Sequence, residues 1–309
     1  TVATGSSSSA AAIRPTIVLF GDSLTQFGFG EAPAAAAVSA AASSAASSTT
    51  GWASLLAATY SRRADVLSRG YSGYTTRHAL DILPSVLNNC GAVSSSAGGG
   101  GGGGRTLFWT LWFGANDAAL PGMRQHVPLA EYKDNVRQMI GMIRDSPAFQ
   151  ERTCSEATSK TSDDNTSNGN VQPPIILLTP PPVYQPKWDG WCHANGRDKS
   201  QRTNEAARRY GQAIQGVGSD LNCDVLDVWD LLGGDDAGGE YGQYLTDGVH
   251  LSDMGNRMVY EGLMGLIGRR YPALAPMVEG DVILDGEEQP PDGEKIGLPM
   301  EEKLWTELC

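Results

Sequence analysis

The stretch that decides the fold reads Thr16-Ile-Val-Leu-Phe-Gly21-Asp22-Ser23-Leu24-Thr25. The run up to Gly21 is short and apolar throughout, as buried parallel strands are. A serine that follows such a strand, after a glycine, is held at the C-terminal edge of a sheet, where its hydroxyl can face a cleft. Taken alone, Gly-Asp-Ser is better explained as a turn followed by a helix N-cap. Whether Gly-Asp-Ser indicates a catalytic serine therefore depends on the rest of the chain.

The rest of the chain repeats this alternation of a short apolar run and a helical segment. Strands are predicted at Thr16–Gly21, Asp65–Ser68, Thr106–Phe113, Ile175–Thr179 and Asp224–Val228. Helices are predicted at Trp52–Arg63, Thr76–Asn88, Leu129–Asp145, Lys199–Gly216 and Asp253–Arg270. Five such repeats predict a three-layer α/β/α sandwich with a five-stranded parallel sheet, which is the flavodoxin-like architecture. Sites in these folds form at the C-terminal ends of the strands.

Two further strand ends carry groups that suit an oxyanion. After the second predicted strand, Gly73 allows the backbone to approach a ligand and offer its N–H. After the third, Asn116 places a side-chain amide over the same edge, and oxyanions need such pre-aimed donors. Each residue also has an ordinary explanation, as a loop glycine and as a turn or helix-entry asparagine.

The fourth feature is the segment Asp247-Gly-Val-His250. A carboxylate three residues before a histidine can accept from one ring nitrogen and hold the other toward a serine. The spacing alone is a weak signal, because about one sequence in three with this composition would show it by chance. All four features, however, lie at or beyond strand ends and together supply nucleophile, base and oxyanion donors, which is a stronger signal than any one of them.

These four segments resemble the four sequence blocks of the SGNH/GDSL hydrolase superfamily, in the same order, between about residues 16 and 270. Gly21-Asp22-Ser23-Leu24 is the block that names the group. The second block often begins with asparagine, and this chain departs from it with Ser68-Arg69 before Gly70. Further stretches are similar to the isoamyl acetate-hydrolysing esterase branch: Asn116-Asp117-Ala118, Leu178-Thr179-Pro180-Pro181-Pro182-Val183, Arg202-Thr-Asn204-Glu205 and Asp224-Val-Leu-Asp227-Val-Trp229.

The resemblance implies a serine esterase with no metal or organic cofactor. In that mechanism Ser23 attacks the ester, His250 handles the proton, and Asp247 fixes the imidazole tautomer. It also implies an oxyanion hole made of the N–H groups of Ser23 and Gly73 and the side-chain amide of Asn116. The G-x-S-x-G elbow of the α/β-hydrolases is absent around Ser23, which disfavours that other esterase fold.

Composition limits the possible partners. The 309 residues carry a net charge of −12, so nucleic acid and anionic membrane surfaces are not expected to bind. Residues 279–309 hold ten acidic residues and two lysines, which is −8 of that charge and is typical of a solvated tail. The cysteines at 90, 154, 192, 223 and 309 form no disulfide or zinc pattern. With no membrane span or signal-peptide pattern, the expected location is the cytoplasm.

Low-complexity segments divide the chain. The expectation is a tail over residues 1–14, one hydrolase domain over 15–272, and an acidic extension over 273–309. Three insertions near residues 34–50, 92–104 and 152–172 are rich in small or polar residues and are expected to be surface loops, because they bury too little apolar surface to fold.

Several alternatives remain open at this stage. The favoured substrates are small acyl esters, especially acetates, with water as the second reactant. Other enzymes on the same scaffold are a lysophospholipase, a thioesterase, a carbohydrate deacetylase or an acyltransferase. From different classes come an inactive binding module and a phosphate-binding flavodoxin-like domain. Trp109 and Trp112 are expected in the core, Trp188 and Trp191 equally in a pocket or the core, and Asp22 and Asp117 as loop supports. The oligomeric state is left undecided.

Overall fold

The computed structural model describes residues 14–30, 50–95, 106–146, 172–196 and 201–276. Its strands are β1 (Thr16–Gly21), β2 (Asp65–Gly70), β3 (Thr106–Trp112), β4 (Ile175–Leu178) and β5 (Val225–Leu226). Its helices are α1 (Ser23–Gln26), α2 (Trp52–Thr59), α3 (Thr76–Ser95), α4 (Leu129–Asp145), α5 (Gln185–Ala194), α6 (Asn204–Leu221), α7 (Val228–Leu231) and α8 (Asp253–Arg270). Short 3-10 turns cover Phe27–Phe29, Glu240–Tyr244 and Pro272–Leu274.

The five strands form one parallel sheet, as the sequence predicts, and their order is β2-β1-β3-β4-β5. The last residue of β1, Gly21, pairs with Gly70 of β2 on one side and with Trp112 of β3 on the other. The loops that follow these three strands therefore emerge side by side. Strands β2 and β3 lie on opposite sides of β1, so the order of strands reverses at β1. Such topological switch points are where α/β folds bind ligands.

Alternate residues of β1 supply the two apolar cores. Val18 and Phe20 belong to the core that packs under α3, α4 and α6. Ile17 and Leu19 belong to the opposite core, which packs under α2 and α8. All four side chains are fully buried, and burial of each contributes about 1.5–3 kcal/mol. The sheet is therefore the middle layer of the predicted sandwich.

Strands β3 and β4 each end one residue before the predicted end, and two strands, β2 and β5, differ from the prediction by more. The prediction of a buried β2 is wrong for the whole strand, because β2 is the edge of the sheet and every residue in it is exposed or half-buried. Its sequence, Asp-Val-Leu-Ser-Arg-Gly, fits that edge position. β5 has only two residues instead of five, since the Asp227 side chain accepts a hydrogen bond from the backbone N–H of Asp230 and begins α7.

Three predicted helices have different bounds. α2 ends at Thr59 instead of Arg63. α6 begins at Asn204 instead of Lys199, because the Thr203 hydroxyl caps it by accepting from the Ala206 N–H at 3.1 Å. α3 continues to Ser95 and so includes residues 92–95, which were predicted to be loop. Helices α4 and α8 begin and end where the sequence predicts, whereas α1, α5 and α7 were not predicted.

Most of the low-complexity sequence lies outside the described residues, including the N-terminal residues 1–13, nearly all of the three insertions and residues 277–309. The fold continues past the expected boundary at residue 272. Tyr60 donates a hydrogen bond to the carbonyl of Leu274 at 2.9 Å, and Leu274 and Ala275 pack against the core between the sheet and α8. Among the described residues, no helix is long and apolar enough to span a lipid bilayer.

Candidate active site

Ser23 is the first residue of α1, and only Asp22 separates it from the end of β1. A side chain on Gly21 would lie 2.6 Å from the carbonyl oxygen of Trp112, so only glycine lets β1 and β3 close at this point. Asp22 caps α1 by accepting from the Leu24 N–H at 2.9 Å, which holds the backbone of Ser23 in place. Gly21-Asp22-Ser23 is therefore a turn followed by a helix cap, and this turn and cap also hold Ser23 in position.

The loop from residue 247 to 250 is held by one carboxylate oxygen. Asp247 Oδ1 accepts from the backbone N–H of Val249 at 3.0 Å and of His250 at 2.8 Å. Gly248 lies between Asp247 and Val249 with φ of +98°, a left-handed conformation that residues with a side chain disfavour. The ends of the loop are tied by the Thr246 N–H, which donates to the His250 carbonyl at 2.7 Å. This tight turn fixes the direction of the histidine.

A chain of hydrogen bonds connects the serine, the histidine and the aspartate. Ser23 Oγ lies 2.9 Å from His250 Nε2, and His250 Nδ1 lies 2.7 Å from Asp247 Oδ2. Both bonds are within the range in which a base takes a proton from a nucleophile and a carboxylate orients that base. Ser23 is 5% exposed and Asp247 is 7% exposed, so both ends of this series of hydrogen bonds are largely shielded from water.

The environment keeps Asp247 ionised. Burial favours the neutral carboxyl, but the hydrogen bond and charge of His250, with the two backbone donors, outweigh it and lower the pKa of Asp247. An ionised aspartate accepts from Nδ1–H and leaves Nε2 free to accept the serine proton. The ring of Phe27 covers the imidazole edge-on, with 5.5 Å between centroids, which limits other orientations of His250.

The glycine and asparagine lie where the sequence predicts, after β2 and β3. Gly73 has φ of +79° in the turn that follows β2. Asn116 is 4% exposed, and its Nδ2 donates to the Tyr74 carbonyl at 2.8 Å and, at 3.4 Å, to Asp22 Oδ2 beside the serine. The side-chain amide of Gln125 links Gly73 to Asn116. Its Nε2 donates to the Gly73 carbonyl at 2.8 Å and to Asn116 Oδ1 at 3.1 Å.

Two buried carboxyl groups support these loops, as predicted. Asp117 Oδ1 accepts from both the N–H and the hydroxyl of Thr76, which ties the loop after β3 to the start of α3. Asp22 caps α1. Burial raises the pKa of Asp117 to about 6 and that of Asp22 to about 7. The network around the serine is therefore sensitive to pH at neutrality and below.

The tryptophans are mostly structural. Trp109 and Trp112 are buried, which confirms their core assignment. Trp188 in α5 is 2% exposed and stacks on Trp191 with 4.8 Å between ring centroids. Its backbone N–H lies 2.6 Å from where a side chain on Gly248 would begin, so Trp188 packs behind the histidine loop. Within the described ranges, no group of three or more potential ligands for a metal ion occurs, and Cys192 is buried.

Two residues close to this network were not assigned a role from the sequence. Gln125 carries no motif, and Arg202 was noted only within a stretch similar to one esterase branch. Arg202 is 6% exposed and donates to Asn116 Oδ1 at 2.7 Å. Only the fold brings Gln125 and Arg202 to Asn116, because they lie 9 and 86 residues away along the chain.

A parallel α/β sandwich with a serine, a histidine and an aspartate linked in this way at its C-terminal edge defines a class, the serine hydrolases. The family model described as "GDSL-like Lipase/Acylhydrolase family" matches residues 19–258. The chain belongs to this family and is a carboxylic ester hydrolase. The resemblance to SGNH/GDSL hydrolases drawn from the four blocks is confirmed.

Individual relatives agree with this assignment. The chain is 34% identical to the "Isoamyl acetate-hydrolyzing esterase 1 homolog" of Mus musculus over 86% of this chain and 87% of that protein. It is 32% identical to a GDSL esterase/lipase of Arabidopsis thaliana over 81% of this chain and 84% of that protein. A solved acetylxylan esterase from Geobacillus stearothermophilus has the same fold, with a TM-score of 0.52 at 18% identity over 83% of this chain and 96% of that one.

Proposed function

We propose that Ser23 is the nucleophile of this esterase, that His250 is its general base and acid, and that Asp247 orients His250 and stabilises the positive charge that the imidazole gains with the serine proton. The observation that supports the proposal is the unbroken chain from Ser23 Oγ to His250 Nε2 at 2.9 Å and from His250 Nδ1 to Asp247 Oδ2 at 2.7 Å. Ser23 lies 227 residues from His250 along the chain, and only the fold brings it to the turn that holds Asp247 and His250.

In the first half-reaction, Ser23 Oγ attacks the ester carbonyl while its proton passes to His250 Nε2. The carbonyl electron pair moves onto oxygen and gives a tetrahedral oxyanion. When that pair returns, the bond to the alcohol oxygen breaks and the histidine gives its proton to the departing alkoxide. The products are a free alcohol and an acyl group on Ser23, with His250 neutral again.

The second half-reaction uses the same groups with water in place of the serine. His250 Nε2 takes a proton from water, the hydroxide adds to the acyl carbonyl, and the Ser23 oxygen leaves with the proton returned by the histidine. The sum is an ester and water converted to an acid and an alcohol.

We assign the oxyanion to three donors. These are the backbone N–H groups of Ser23 and Gly73 and the Nδ2 amide of Asn116. Their support is that each follows one of three adjacent strands and that Asn116 Nδ2 also reaches toward Asp22, next to the serine. Donors fixed before the reaction stabilise the developing charge without reorganising, and loss of one costs about 100- to 1,000-fold in kcat in such sites.

The proposed substrate class is acetate and other short-chain esters of small alcohols. The support is the name of several relatives at 30–34% identity, isoamyl acetate-hydrolyzing esterase 1 homolog, which describes hydrolysis of a short-chain ester. Covalent acyl transfer needs no metal in this mechanism, because the serine, the histidine and the backbone donors supply nucleophile, proton transfer and charge stabilisation.

The test is hydrolysis of p-nitrophenyl esters from acetate to dodecanoate by wild type, Ser23→Ala and the matched control Ser61→Ala. Ser61 is an exposed serine in the segment after α2. The proposal predicts that acetate or butyrate is the fastest substrate and that only Ser23→Ala falls to the background rate. Faster turnover of longer esters would favour a lysophospholipase or thioesterase instead, and equal activity of wild type and Ser23→Ala would refute the nucleophile.

A further inference from the structure

The oxyanion donor Asn116 has an orientation that its own shape does not determine. The amide oxygen and nitrogen of asparagine are nearly the same size, so a half-turn of the group costs little in packing. The two orientations have opposite chemistry. With Nδ2 toward the serine the amide stabilises an oxyanion, and with Oδ1 there it repels one.

Arg202 removes this ambiguity because a guanidinium only donates hydrogen bonds. Its Nη2 lies 2.7 Å from Asn116 Oδ1, and a reversed amide would place N–H groups against N–H groups. The same nitrogen donates to Gln125 Oε1 at 3.1 Å, and Nε donates to the Ala115 carbonyl at 2.9 Å. The side chain is buried and its guanidinium lies 4.9 Å from the ring centre of Trp188, so its position is well defined.

Gln125 extends the same constraint to the second donor residue. Because its Oε1 accepts from Arg202, its Nε2 must face the other way, where it donates to Asn116 Oδ1 at 3.1 Å and to the Gly73 carbonyl at 2.8 Å. Asn116 Oδ1 thus accepts from two donors. One side chain ties together Asn116 and Gly73, which come from different loops.

We propose that Arg202 and Gln125 are positioning residues that set the direction of the oxyanion hole. Arg202 fixes the amide of Gln125, and the two together fix the amide of Asn116 with Nδ2 toward the oxyanion, while Gln125 also anchors Gly73. This inference rests on the proposed function, in which Asn116 and Gly73 hold the oxyanion. It predicts that damage to the pair lowers kcat and leaves KM nearly unchanged, because the oxyanion exists only in the transition state.

The sharpest variant is Gln125→Glu, which keeps the shape and reverses the donor. The new carboxylate still accepts from Arg202, so the fold loses no partner there. Its second oxygen faces Asn116 Oδ1 and the Gly73 carbonyl, both acceptors. We expect kcat for p-nitrophenyl acetate to fall about 100-fold at pH 8, with KM within about twofold and the melting temperature close to that of wild type. The matched control Gln138→Glu, exposed on α4, should behave as wild type.

A second variant keeps the inference testable if the first disturbs folding. Arg202→Lys retains the charge but has no planar fork to hold Asn116, Gln125 and Ala115 together, so kcat should fall about 10- to 100-fold. The control is Arg208→Lys in α6, an exposed arginine that also stacks on an indole, at 5.0 Å from Trp229.

Inhibition by a trifluoromethyl ketone distinguishes a positioning role from a purely structural one. Addition of Ser23 to its carbonyl leaves an oxyanion in the hole, so its inhibition constant should rise in proportion to the fall in kcat/KM across the variants. The double variant Asn116→Ala with Gln125→Glu should lose less activity than the two single losses combined, because the effect that Gln125 exerts through Asn116 is already absent and only its contact with Gly73 remains.

The outcomes separate the two proposals. If Asn116→Ala is slow but Gln125→Glu keeps wild-type kcat and ketone affinity, the positioning role is refuted and the proposed function stands. If Asn116→Ala itself retains full kcat, the oxyanion assignment fails first. Fully additive losses in the double variant would show that Gln125 does not act through Asn116, and would overturn the claim that it sets the direction of that amide.

Discussion

The carboxylate of Asp247 has two oxygens with two different roles. Oδ1 accepts from the N–H groups of Val249 and His250 and shapes the loop, while Oδ2 accepts from the imidazole at 2.7 Å. Shape and chemistry can therefore be separated at this residue, since an asparagine keeps an acceptor for the first role and loses it for the second.

Asp247→Asn is expected to lower kcat by about 10,000-fold while the melting temperature changes little, as a comparable change does in other serine hydrolases. The amide Nδ2 would face His250 Nδ1 and favour the tautomer with a proton on Nε2, which cannot take one from Ser23. The control is Asp253→Asn, at an exposed position of α8, which should retain full activity. Steady-state kinetics with p-nitrophenyl acetate measures both, and a loss below tenfold in Asp247→Asn would contradict the role of Asp247.

Asp117 makes the fold sensitive to pH. Its Oδ2 is buried with no hydrogen-bond partner within the described residues, and burial raises the pKa of the carboxyl from 3.8 to about 6. Between these values the folded protein holds a proton that the unfolded chain has released. The free energy of unfolding contributed by Asp117 therefore falls as pH rises from about 4 to 6, by at most about 1.4 kcal/mol per pH unit.

Asp117→Asn should remove this slope and increase the free energy of unfolding at pH 7 relative to pH 4. The asparagine Oδ1 still accepts from the N–H and hydroxyl of Thr76. The measurement is urea unfolding at pH 4, 5, 6 and 7, with Asp81→Asn on the exposed face of α3 as control. If wild type and Asp117→Asn have parallel profiles, the buried carboxyl is not the source of the pH dependence.

At the scale of elements, the position of the histidine loop depends on α5. Gly248 has φ of +98°, and a Cβ there would lie 2.6 Å from both the Trp188 nitrogen and the Tyr184 carbonyl oxygen. The backbone of the loop thus rests directly on the first turn of α5. The Tyr184 N–H donates to the Gly248 carbonyl at 2.9 Å and completes the contact.

Gly248→Ala should push the loop away from α5 and move His250 from Ser23. We expect a kcat at least 10-fold lower and a loss of stability of about 2 kcal/mol or more, because backbone atoms cannot yield as a flexible side chain would. Gly190→Ala, in α5 with no atom within 4 Å of the new Cβ, should instead stabilise the fold by about 0.5–1 kcal/mol with unchanged kcat. Equal behaviour of the two variants in thermal unfolding and kinetics would refute the dependence on α5.

Helix α5 also shows where sequence patterns stop being informative. It begins at Gln185 after a proline-rich segment, and its buried side chains, Trp188 and Cys192, are four residues apart in only ten residues. So short a helix has little periodicity to detect, and packing behind the histidine loop stabilises it. In α4, by contrast, buried residues recur over 17 residues, and its bounds were predicted correctly from the sequence.

For the whole molecule, one topological fact assembles the site. The order β2-β1-β3 places the loops carrying Gly73, Ser23 and Asn116 next to each other. The sequence predicted a parallel sheet of the flavodoxin-like type but not the order of its strands. Residues whose chemistry is recognisable in isolation, such as Ser23 and the Asp247–His250 pair, could be selected from the sequence. Gln125 and Arg202 could not, because an amide and a guanidinium acquire a role only through the atoms they face.

The central claim is that Ser23 is the nucleophile, and covalent labelling tests it most directly. An alkyl fluorophosphonate should form one Ser23 Oγ–phosphorus bond as fluoride leaves and His250 accepts the serine proton. Peptide mass spectrometry is predicted to find one phosphonyl group per chain, on Ser23, with activity lost in proportion and with no labelling of Ser23→Ala. Full activity after labelling at another residue, or an active enzyme that the reagent leaves unmodified, would contradict the account.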